Sequence, residues 1–352
     1  MRIFSLLILL VVASALQSQV VVNENVKHSK YTFPLVASKI KATVCYDAND
    51  YPVVKKVAEL FVSDIENVTG QRLKLADEWK KGRTVVIVGT IEKNQAIRQL
   101  ASNGKIDISP LEGAWERYLI QTVNHPFPGV DKALIVAGSD RRGASYGLFS
   151  LSEMAGVSPW YWWADVPVKK SEVIYVKSGR YIQPSPKVKY RGIFINDEEP
   201  SFGQWTRAKF GGFNSKMYSH MFELLLRLKA NYLWPAMWSS AFNEDDPMNP
   251  VVADEYGIVM GTSHHEPMMR AHKEYTRRRK EVGPWNYIVN REGVDRFFQE
   301  GLERNKAYDN LITIGMRGDG DVAMGKGSDE ENMATLDSVI KGQRELIHKI
   351  YG

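Results

Sequence analysis

Polar and aromatic side chains follow four short apolar runs in the second half of the chain. The runs with their endings are KYRGIFINDEEP (189–200), NYLWPAMW (231–238), YGIVMGTSHHEP (256–267) and NLITIGMRGDGD (310–321). Each apolar run is therefore followed by side chains that can do chemistry. These are carboxylates, imidazoles, a guanidinium and indole rings. Such groups can bind the hydroxyls, the charged substituents and the apolar faces of sugars, and a pair of carboxylates can cleave a glycosidic bond.

The first ending places Asn196, Asp197, Glu198 and Glu199 in succession. Glycosidic cleavage needs one carboxyl group as acid and a second as base or nucleophile, and the same groups bind sugar hydroxyls. The alternative is a helix cap through Asp197 or Ser201. We assign capping to Glu199 and ligand binding to Asp197.

The second ending offers two indole rings, Trp234 and Trp238, on either side of Pro235. A tryptophan face stacks on the apolar face of a pyranose. Packing in the core is an equally strong interpretation for Trp234. Trp238 is therefore the candidate for sugar contact.

The third ending, His264-His265-Glu266-Pro267, could be a metal site. Adjacent side chains on an extended segment point to opposite sides, and the HExxH pattern of zinc proteases is absent. We therefore favour hydrogen bonding to a substrate, or a buried structural histidine, over a metal.

The fourth ending has glycine on both sides of Asp319. Glycine lets the backbone approach a ligand closely, Arg317 offers a planar fork for a carboxylate, and Asp321 is a possible acid or base. Asp-Gly-Asp also occurs in calcium loops, but the EF-hand spacing is missing. An arginine among several carboxylates indicates an acidic sugar.

Parallel strands would bring these four endings to one edge of a sheet. Buried parallel strands are almost continuously apolar, and (β/α) barrels keep their active sites at the carboxyl ends of the strands. The endings are spaced by about 30 to 50 residues, close to one βα unit with loop insertions. Helices predicted over 213–230 and 332–350 fit this alternation. Residues 188–352 thus predict the first half of a (β/α)8 TIM-type barrel, with about four βα units.

A small α/β domain is predicted before it, over residues 26–180. Apolar strands such as TVVIVGT (84–90) and ALIVAGS (133–139) alternate there with helical patterns. Pro184 and Pro186 then favour an extended linker. Each domain should bury its own core. The aromatic cluster SPWYWWADVPV (158–168) is interpreted as a plug between the domains, with a sugar platform as the alternative.

Composition and the amino terminus limit the classes of function. The chain has 44% hydrophobic and 25% charged residues, which is typical of globular proteins, and a net charge of +5 that is too scattered to indicate nucleic-acid binding. Its densest basic run, 277–280, is interpreted as a solvated helix face.

Residues 1–15 resemble a signal peptide too short to span a bilayer, so we expect a secreted or periplasmic protein that is not held in a membrane. The single cysteine, Cys45, excludes an internal disulfide.

Several motifs in this order resemble glycoside hydrolase family 115, the xylan α-1,2-glucuronidases. They are RGIFINDEEP, LKANYLWPAMW, GTSHHEPMMR and IGMRGDGD, with DRRGASYGLFSLSE and VSPWYWWADVPV in the N-terminal part. The resemblance implies an inverting enzyme, without cofactor or metal, that removes glucuronic acid or 4-O-methylglucuronic acid from glucuronoxylan or its oligosaccharides. It implies a homodimer as the candidate assembly of the full-length protein.

The resemblance also implies a sugar pocket, formed by Glu153, Asp197, Trp238, His264, Arg317 and Asp321. In it Arg317 would hold the uronate carboxylate, Asp197 and His264 would bind hydroxyls, and Asp321 would be a catalytic carboxylate. The family's partner glutamate follows a fifth strand, which this sequence does not contain. We therefore expect an incomplete barrel that is inactive alone.

Two other functions stay open. A non-catalytic carbohydrate-binding protein, or a truncated inactive remnant, would keep the pocket and lack the second acid. A hexosaminidase-like glycosidase would favour an Asp-Glu pair after the fourth strand, whereas Asp321 is followed by Val322. The hexosaminidase-like alternative is therefore less favoured.

Overall fold

The computed structural model describes residues 22–23, 29–37, 39–79, 83–196, 198–325 and 327–352. The predicted signal peptide and Asp197 lie outside these residues. The strands of the described part are β1 (Val22–Asn23), β2 (Thr32–Ala37), β3 (Ile40–Lys41), β4 (Thr43–Cys45), β5 (Lys74–Ala76), β6 (Thr84–Thr90), β7 (Tyr118–Asn124), β8 (Lys132–Gly138), β9 (Ile174–Lys177), β10 (Arg180–Gln183), β11 (Gly192–Phe194), β12 (Tyr232–Trp234), β13 (Val259–Gly261) and β14 (Asn310–Leu311).

The described part of the chain contains α-helices on both sides of the proline linker. They are α1 (Pro52–Thr69), α2 (Gln95–Ser102), α3 (Arg141–Met154), α4 (Ser201–Phe210), α5 (Ser215–Arg227), α6 (Phe242–Asp245), α7 (Met248–Glu255), α8 (His272–Val282), α9 (Arg291–Asn305) and α10 (Asp329–Tyr351). Helix α5 begins after Asn214, whose side chain accepts hydrogen bonds from the Lys216 and Met217 amides. Within the part of the chain that the structure describes, no helix is both long and apolar enough to cross a bilayer.

Two sheets form from the residues before the proline linker. The six-stranded sheet has the order β10-β7-β8-β6-β4-β5, and its strands β8, β6, β4 and β5 are parallel. The four-stranded sheet, β1-β9-β2-β3, is antiparallel. Helices α1 and α3 contact one another beside the larger sheet. This part of the chain is therefore a mixed α/β structure, as the alternating pattern predicts.

The third sheet contains the four strands that carry the polar endings. Its order is β11-β12-β13-β14, and every neighbouring pair is parallel. The strands have only two or three residues each, because the chain leaves the sheet earlier than the apolar runs suggested. Four parallel strands in chain order are compatible with half a barrel, and the half barrel itself stays a prediction.

The hydrophobic core crosses the predicted boundary between the two parts. One continuous cluster contains Phe33 and Phe61 from the first part together with Phe222, Leu233 and Met260 from the second. The expectation of a separate core for each domain is wrong for this cluster, because α3 packs against α5 across the boundary. Two further clusters are confined to one part each.

The aromatic cluster at 158–168 lies at the same boundary, which confirms its interpretation as a plug. The Trp162 ring stacks on His220 of α5 with centroids 3.9 Å apart, and the Trp163 ring lies 5.8 Å from Trp205 of α4. Buried charges add to this contact. Arg227 of α5 donates two hydrogen bonds of 2.9 Å to Asp64 of α1.

Candidate active site

The carboxyl ends of β11 to β14 lie at one edge of the third sheet, since the strands are parallel and in register. Phe194 is opposite Trp234, Leu233 is opposite Met260, and Gly261 is opposite Leu311. The four polar endings therefore converge, although their residues are far apart in sequence. Asp197 belongs to the first of these endings and lies outside the described residues, so its role in ligand binding stays a prediction.

Glu198, beside Asp197, is almost completely buried. Its Oε1 accepts a 2.8 Å hydrogen bond from the Trp238 amide, and its Oε2 has no hydrogen-bond partner in the described part of the chain. This carboxylate therefore joins the ending of β11 to the ending of β12. Glu198 could not be singled out from the sequence, because a run of four polar residues does not indicate which side chain turns inward.

Glu199 forms an ion pair instead of the predicted cap. Helix α4 begins after Pro200 without a side-chain cap, whereas Glu199 accepts hydrogen bonds of 2.6 and 2.7 Å from Arg207. Hydrogen bonds from Arg207, with a further one from Ser239, lower the pKa of Glu199 to about 2. The capping assignment is wrong because the Arg207 guanidinium, two turns into α4, reaches back to this carboxylate.

Trp238 and Trp234 differ in exposure and partners. The Trp238 side chain is 44% exposed, and its ring centroid lies 6.2 Å from that of His265. The Trp234 indole donates to the Tyr232 hydroxyl and packs edge-on against Phe194. Trp238 thus presents an accessible face at the strand ends, while Trp234 takes part in packing.

The two adjacent histidines differ in exposure, but they lie in a turn that is closed by a 3.0 Å hydrogen bond from the Glu266 amide to the Ser263 carbonyl. The expectation that they lie on an extended segment and point to opposite sides is therefore wrong, since both rings approach Asp321. His264 is exposed, and its Nε2 lies 3.2 and 3.3 Å from the two carboxylate oxygens of Asp321. His265 is buried, and burial, followed by the nearby His272, lowers its pKa to about 4. No group of three or more His, Cys, Asp or Glu side chains in the described residues could hold a metal ion.

The loop after β14 presents Arg317 and Asp321 together. Arg317 Nε lies 3.0 Å from Asp321 Oδ1, and a terminal nitrogen of Arg317 donates to the Asp321 carbonyl at 3.1 Å. Asp321 has a left-handed φ of +62°, which follows Gly320 at +84°. At Gly318 an added Cβ would lie 2.3 Å from the Ala323 carbonyl oxygen, so the close turn requires glycine there.

Helix α8 contributes two side chains that contact the loop after β14. His272 Nε2 lies 3.0 Å from Asp319 Oδ1, and Arg279 forms a bidentate ion pair with the same carboxylate. Arg279 belongs to the basic run 277–280, which was interpreted as a solvated face. Its side chain is half exposed, but it is paired across the loop with Asp319. In the sequence, the one sign of an ion pair at Arg279 is that basic and acidic residues are mixed in this segment.

Glu153 is not brought to this cluster. It is exposed on the last turn of α3. The buried side of that helix packs on residues that precede the strands of the third sheet, since the Tyr146 hydroxyl donates to the Ala230 carbonyl and Arg142 donates to the Gly257 carbonyl. Its part in a sugar pocket remains a prediction without a contact in the described residues to support it.

Asp321 contacts both His264 and Arg317, and these three residues form a cluster. His265 lies between Asp321 and the Trp238 ring and connects Trp238 to this cluster. A pocket of about 480 Å³ opens beside Arg317, between the loop that carries Trp285 and the first turns of α10. The cluster combines a guanidinium, a carboxylate, imidazoles and an indole face, and of these groups the Arg317 guanidinium lines the pocket. This combination can bind an acidic sugar, because the guanidinium pairs with a carboxylate and the other groups suit hydroxyls and a pyranose face.

Comparisons with known proteins agree with this chemistry. The family model described as "Glycosyl hydrolase family 115" matches residues 183–352. The solved structure of BtGH115A, described as a family GH115 4-O-methyl-alpha-glucuronidase with specificity for decorated arabinogalactans, is 32% identical to this chain with a TM-score of 0.78. The match covers 90% of this chain and 41% of that one, so this chain spans less than half the length of its structural relative.

Other solved structures are much less similar to this chain, and neither its fold nor its function is inferred from them. The GH20 exo-β-N-acetylglucosaminidase from Vibrio harveyi is 9% identical with a TM-score of 0.48, covering 92% of this chain and 52% of its own. The Flavobacterium johnsoniae chitobiase is 12% identical with a TM-score of 0.46, covering 95% of this chain and 47% of its own. Among curated proteins, none matches the chain.

Proposed function

Because this chain belongs to glycoside hydrolase family 115, we propose that its site binds a glucuronic acid or 4-O-methylglucuronic acid side chain of a polysaccharide. The observation that carries the proposal is the contact of Arg317 with Asp321 and of Asp321 with His264 at the strand ends. In the proposed complex the outer edge of the Arg317 guanidinium pairs with the uronate carboxylate. The Trp238 ring covers the apolar face of the sugar.

For the reaction we propose hydrolysis with inversion, in which Asp321 is one of the two carboxyl groups. An inverting glycosidase protonates the leaving oxygen with one carboxyl group and activates water with the other. The glycine-rich loop and the Arg317 ion pair hold the Asp321 carboxylate at the open edge of the sheet. Glucuronoxylan is the substrate that the resemblance to the family implies. A decorated arabinogalactan is the second candidate, because the relative BtGH115A is described as specific for that class.

The binding proposal is tested by titrating the chain with D-glucuronic acid and, separately, with D-glucose. We expect the uronic acid to bind more tightly, and Arg317→Ala to weaken its binding about tenfold or more, because charge-assisted hydrogen bonds contribute about 1.5–3 kcal/mol. Arg317→Lys should lie between the two, since an ammonium keeps the charge and loses the fork. Equal binding of both sugars by the wild-type chain would remove the proposal.

The hydrolytic proposal is tested with the product of the entire gene. We expect it to release uronic acid from glucuronoxylan or from arabinogalactan, and Asp321→Asn to lose most of that rate without a change in melting temperature. Asparagine also tolerates the left-handed backbone at this position. Uronate binding without release from either polymer would favour the alternative of a carbohydrate-binding protein.

A further inference from the structure

His265 is a buried side chain that the proposed site does not yet use. It is 3% exposed, and neither of its ring nitrogens has a hydrogen-bond partner in the described part of the chain. Buried polar groups are nearly always hydrogen-bonded, because leaving one unpartnered costs stability. Two unpartnered nitrogens on one buried ring therefore call for a partner that the described residues do not supply.

The surroundings of His265 show where such a group would lie. Its Nδ1 is 3.9 Å from Asp321 Oδ1, an oxygen that is also buried and accepts no hydrogen bond, although it is ion-paired with Arg317 and His264. The His272 ring lies on one side with centroids 4.3 Å apart, and the Trp238 ring lies at 6.2 Å. The imidazole thus lies beside the proposed catalytic carboxylate.

A separation of 3.9 Å is too long for a direct hydrogen bond, and it is short enough for one oxygen atom to contact both groups. His265 is neutral at neutral pH, because burial and His272 lower its pKa to about 4. A neutral imidazole offers one donor and one acceptor, and a hydroxyl group also offers both. Since the Asp321 carboxylate only accepts hydrogen bonds, the hydroxyl would donate its proton to Asp321 and accept a hydrogen bond from His265 Nδ1, so the arrangement requires the proton on Nδ1.

We propose that His265 and Asp321 together bind one hydroxyl oxygen of the substrate sugar, beside the Trp238 ring. This inference rests on the proposed function, since it assumes a saccharide in the site. It makes His265 a buried hydrogen-bonding partner of the sugar. His264 and Arg317 act from the exposed side.

The test uses the chain with D-glucuronic acid and its 2-, 3- and 4-deoxy analogues as probes, with affinities measured by calorimetry at pH 7. His265→Phe keeps a planar ring and removes hydrogen bonding, so we expect about 2- to 13-fold weaker binding of glucuronic acid, the factor that one neutral hydrogen bond contributes. His265→Asn keeps a polar group near the position of Nδ1 and should bind more tightly than His265→Phe. His125→Asn, at an exposed turn with φ of +48°, is the matched control and should bind like wild type.

The deoxy analogues distinguish a contact from a structural role. One analogue, the one that lacks the bound hydroxyl, should bind equally to wild type and His265→Phe, while the other two should keep the difference. An equal loss for all three analogues would assign His265 to structure and overturn the inference. So would unchanged affinity in a folded His265→Phe protein.

A lower rate of the whole gene product at unchanged sugar affinity would place a water molecule, and not a sugar hydroxyl, between His265 and Asp321, and would also overturn the inference. The binding part of the proposed function is tested independently of His265, because it depends on the titration of the wild-type chain alone. A wild-type chain that binds no saccharide removes both proposals. If the wild-type chain binds glucuronic acid and the His265 substitutions do not change its affinity, the inference about His265 fails and the proposed function stands.

Discussion

Burial sets the protonation state of Glu266, next to the two site histidines. Glu266 is 2% exposed, and its Oε1 accepts a 3.2 Å hydrogen bond from the His272 amide. Burial, followed by the charges of Glu274 and Glu198, raises its pKa from 4.5 to about 8, and this outweighs the hydrogen bond, which lowers it. The folded protein therefore holds a proton on Glu266 at neutral pH, where the unfolded chain has released it.

This difference makes stability depend on pH, and Glu266→Gln should remove the dependence. Below pH 4.5 both states are protonated, and between pH 4.5 and about 8 only the folded state binds the proton, so stability falls as pH rises through this window. Glutamine resembles the protonated acid. We expect the melting temperature of Glu266→Gln to match wild type near pH 4.5 and to exceed it by at least about 2 °C at pH 8.

Glu112→Gln, at an exposed turn, is the control for the substitution itself and should change stability by less than about 0.5 kcal/mol. A Glu266→Gln protein that is less stable than wild type at pH 8 would show that the carboxylate form is the one that the fold stabilises.

At the scale of elements, helix α10 holds the loop after β14 through one side chain. Gln343 is fully buried; its Oε1 accepts the Gly315 amide at 2.6 Å and its Nε2 donates to the Gly315 carbonyl at 2.7 Å. Gly315 has a φ of +114°, which a residue with a Cβ rarely adopts. The Trp285 indole donates to the Arg317 carbonyl two residues later, so the loop is fixed from two sides.

Gln343→Leu should loosen this loop and weaken the site. The substitution leaves the Gly315 amide and carbonyl unpartnered, which should lower stability by about 1–3 kcal/mol and weaken glucuronic acid binding through displacement of Arg317. Chemical denaturation and calorimetric titration measure the two effects. Gln299→Leu on α9, which removes solvent-exposed hydrogen bonds with Glu303 and Lys349, is the matched control. If Gln343→Leu binds glucuronic acid with the affinity of the wild type, the contact from α10 does not contribute to sugar binding.

At the scale of the molecule, buried charges join the two parts of the chain. Arg227 is 5% exposed and lies between Asp64 of α1, at 2.9 Å, and Glu223 of α5, at 2.8 Å. Glu116, also buried, accepts hydrogen bonds from Arg191 and Asn231, which flank the start of the third sheet. Since the core is continuous across the same boundary, we expect the two parts to unfold together.

Arg227→Met should be among the most destabilising substitutions in this chain. It leaves two buried carboxylates without their counter-charge, and breaking a buried ion pair on one side costs about 3–5 kcal/mol. Arg72→Met removes an exposed pair with Glu66 and should cost at most about 1 kcal/mol. Denaturation followed by both fluorescence and circular dichroism measures the loss and shows whether one transition persists. Equal losses in the two variants would contradict a buried role for Arg227.

The sequence by itself determined the elements and the type of chemistry. Apolar runs bounded by glycine or polar residues located β6 and β8 within a residue, because local hydrophobic periodicity and turn residues define such strands. Arg317 and Asp321 are four residues apart, so their pairing was accessible from the local sequence.

The tertiary structure alone decided which distant residues meet and which charges are buried. Asp319 meets His272 and Arg279 across 47 and 40 residues, and Glu198 meets the Trp238 amide across 40. Such contacts depend on the register of parallel strands and on the path of the loops, which local patterns do not specify. The raised pKa of Glu266 and the lowered pKa of His265 arise from burial by several elements at once, so no single segment of the sequence contains their cause.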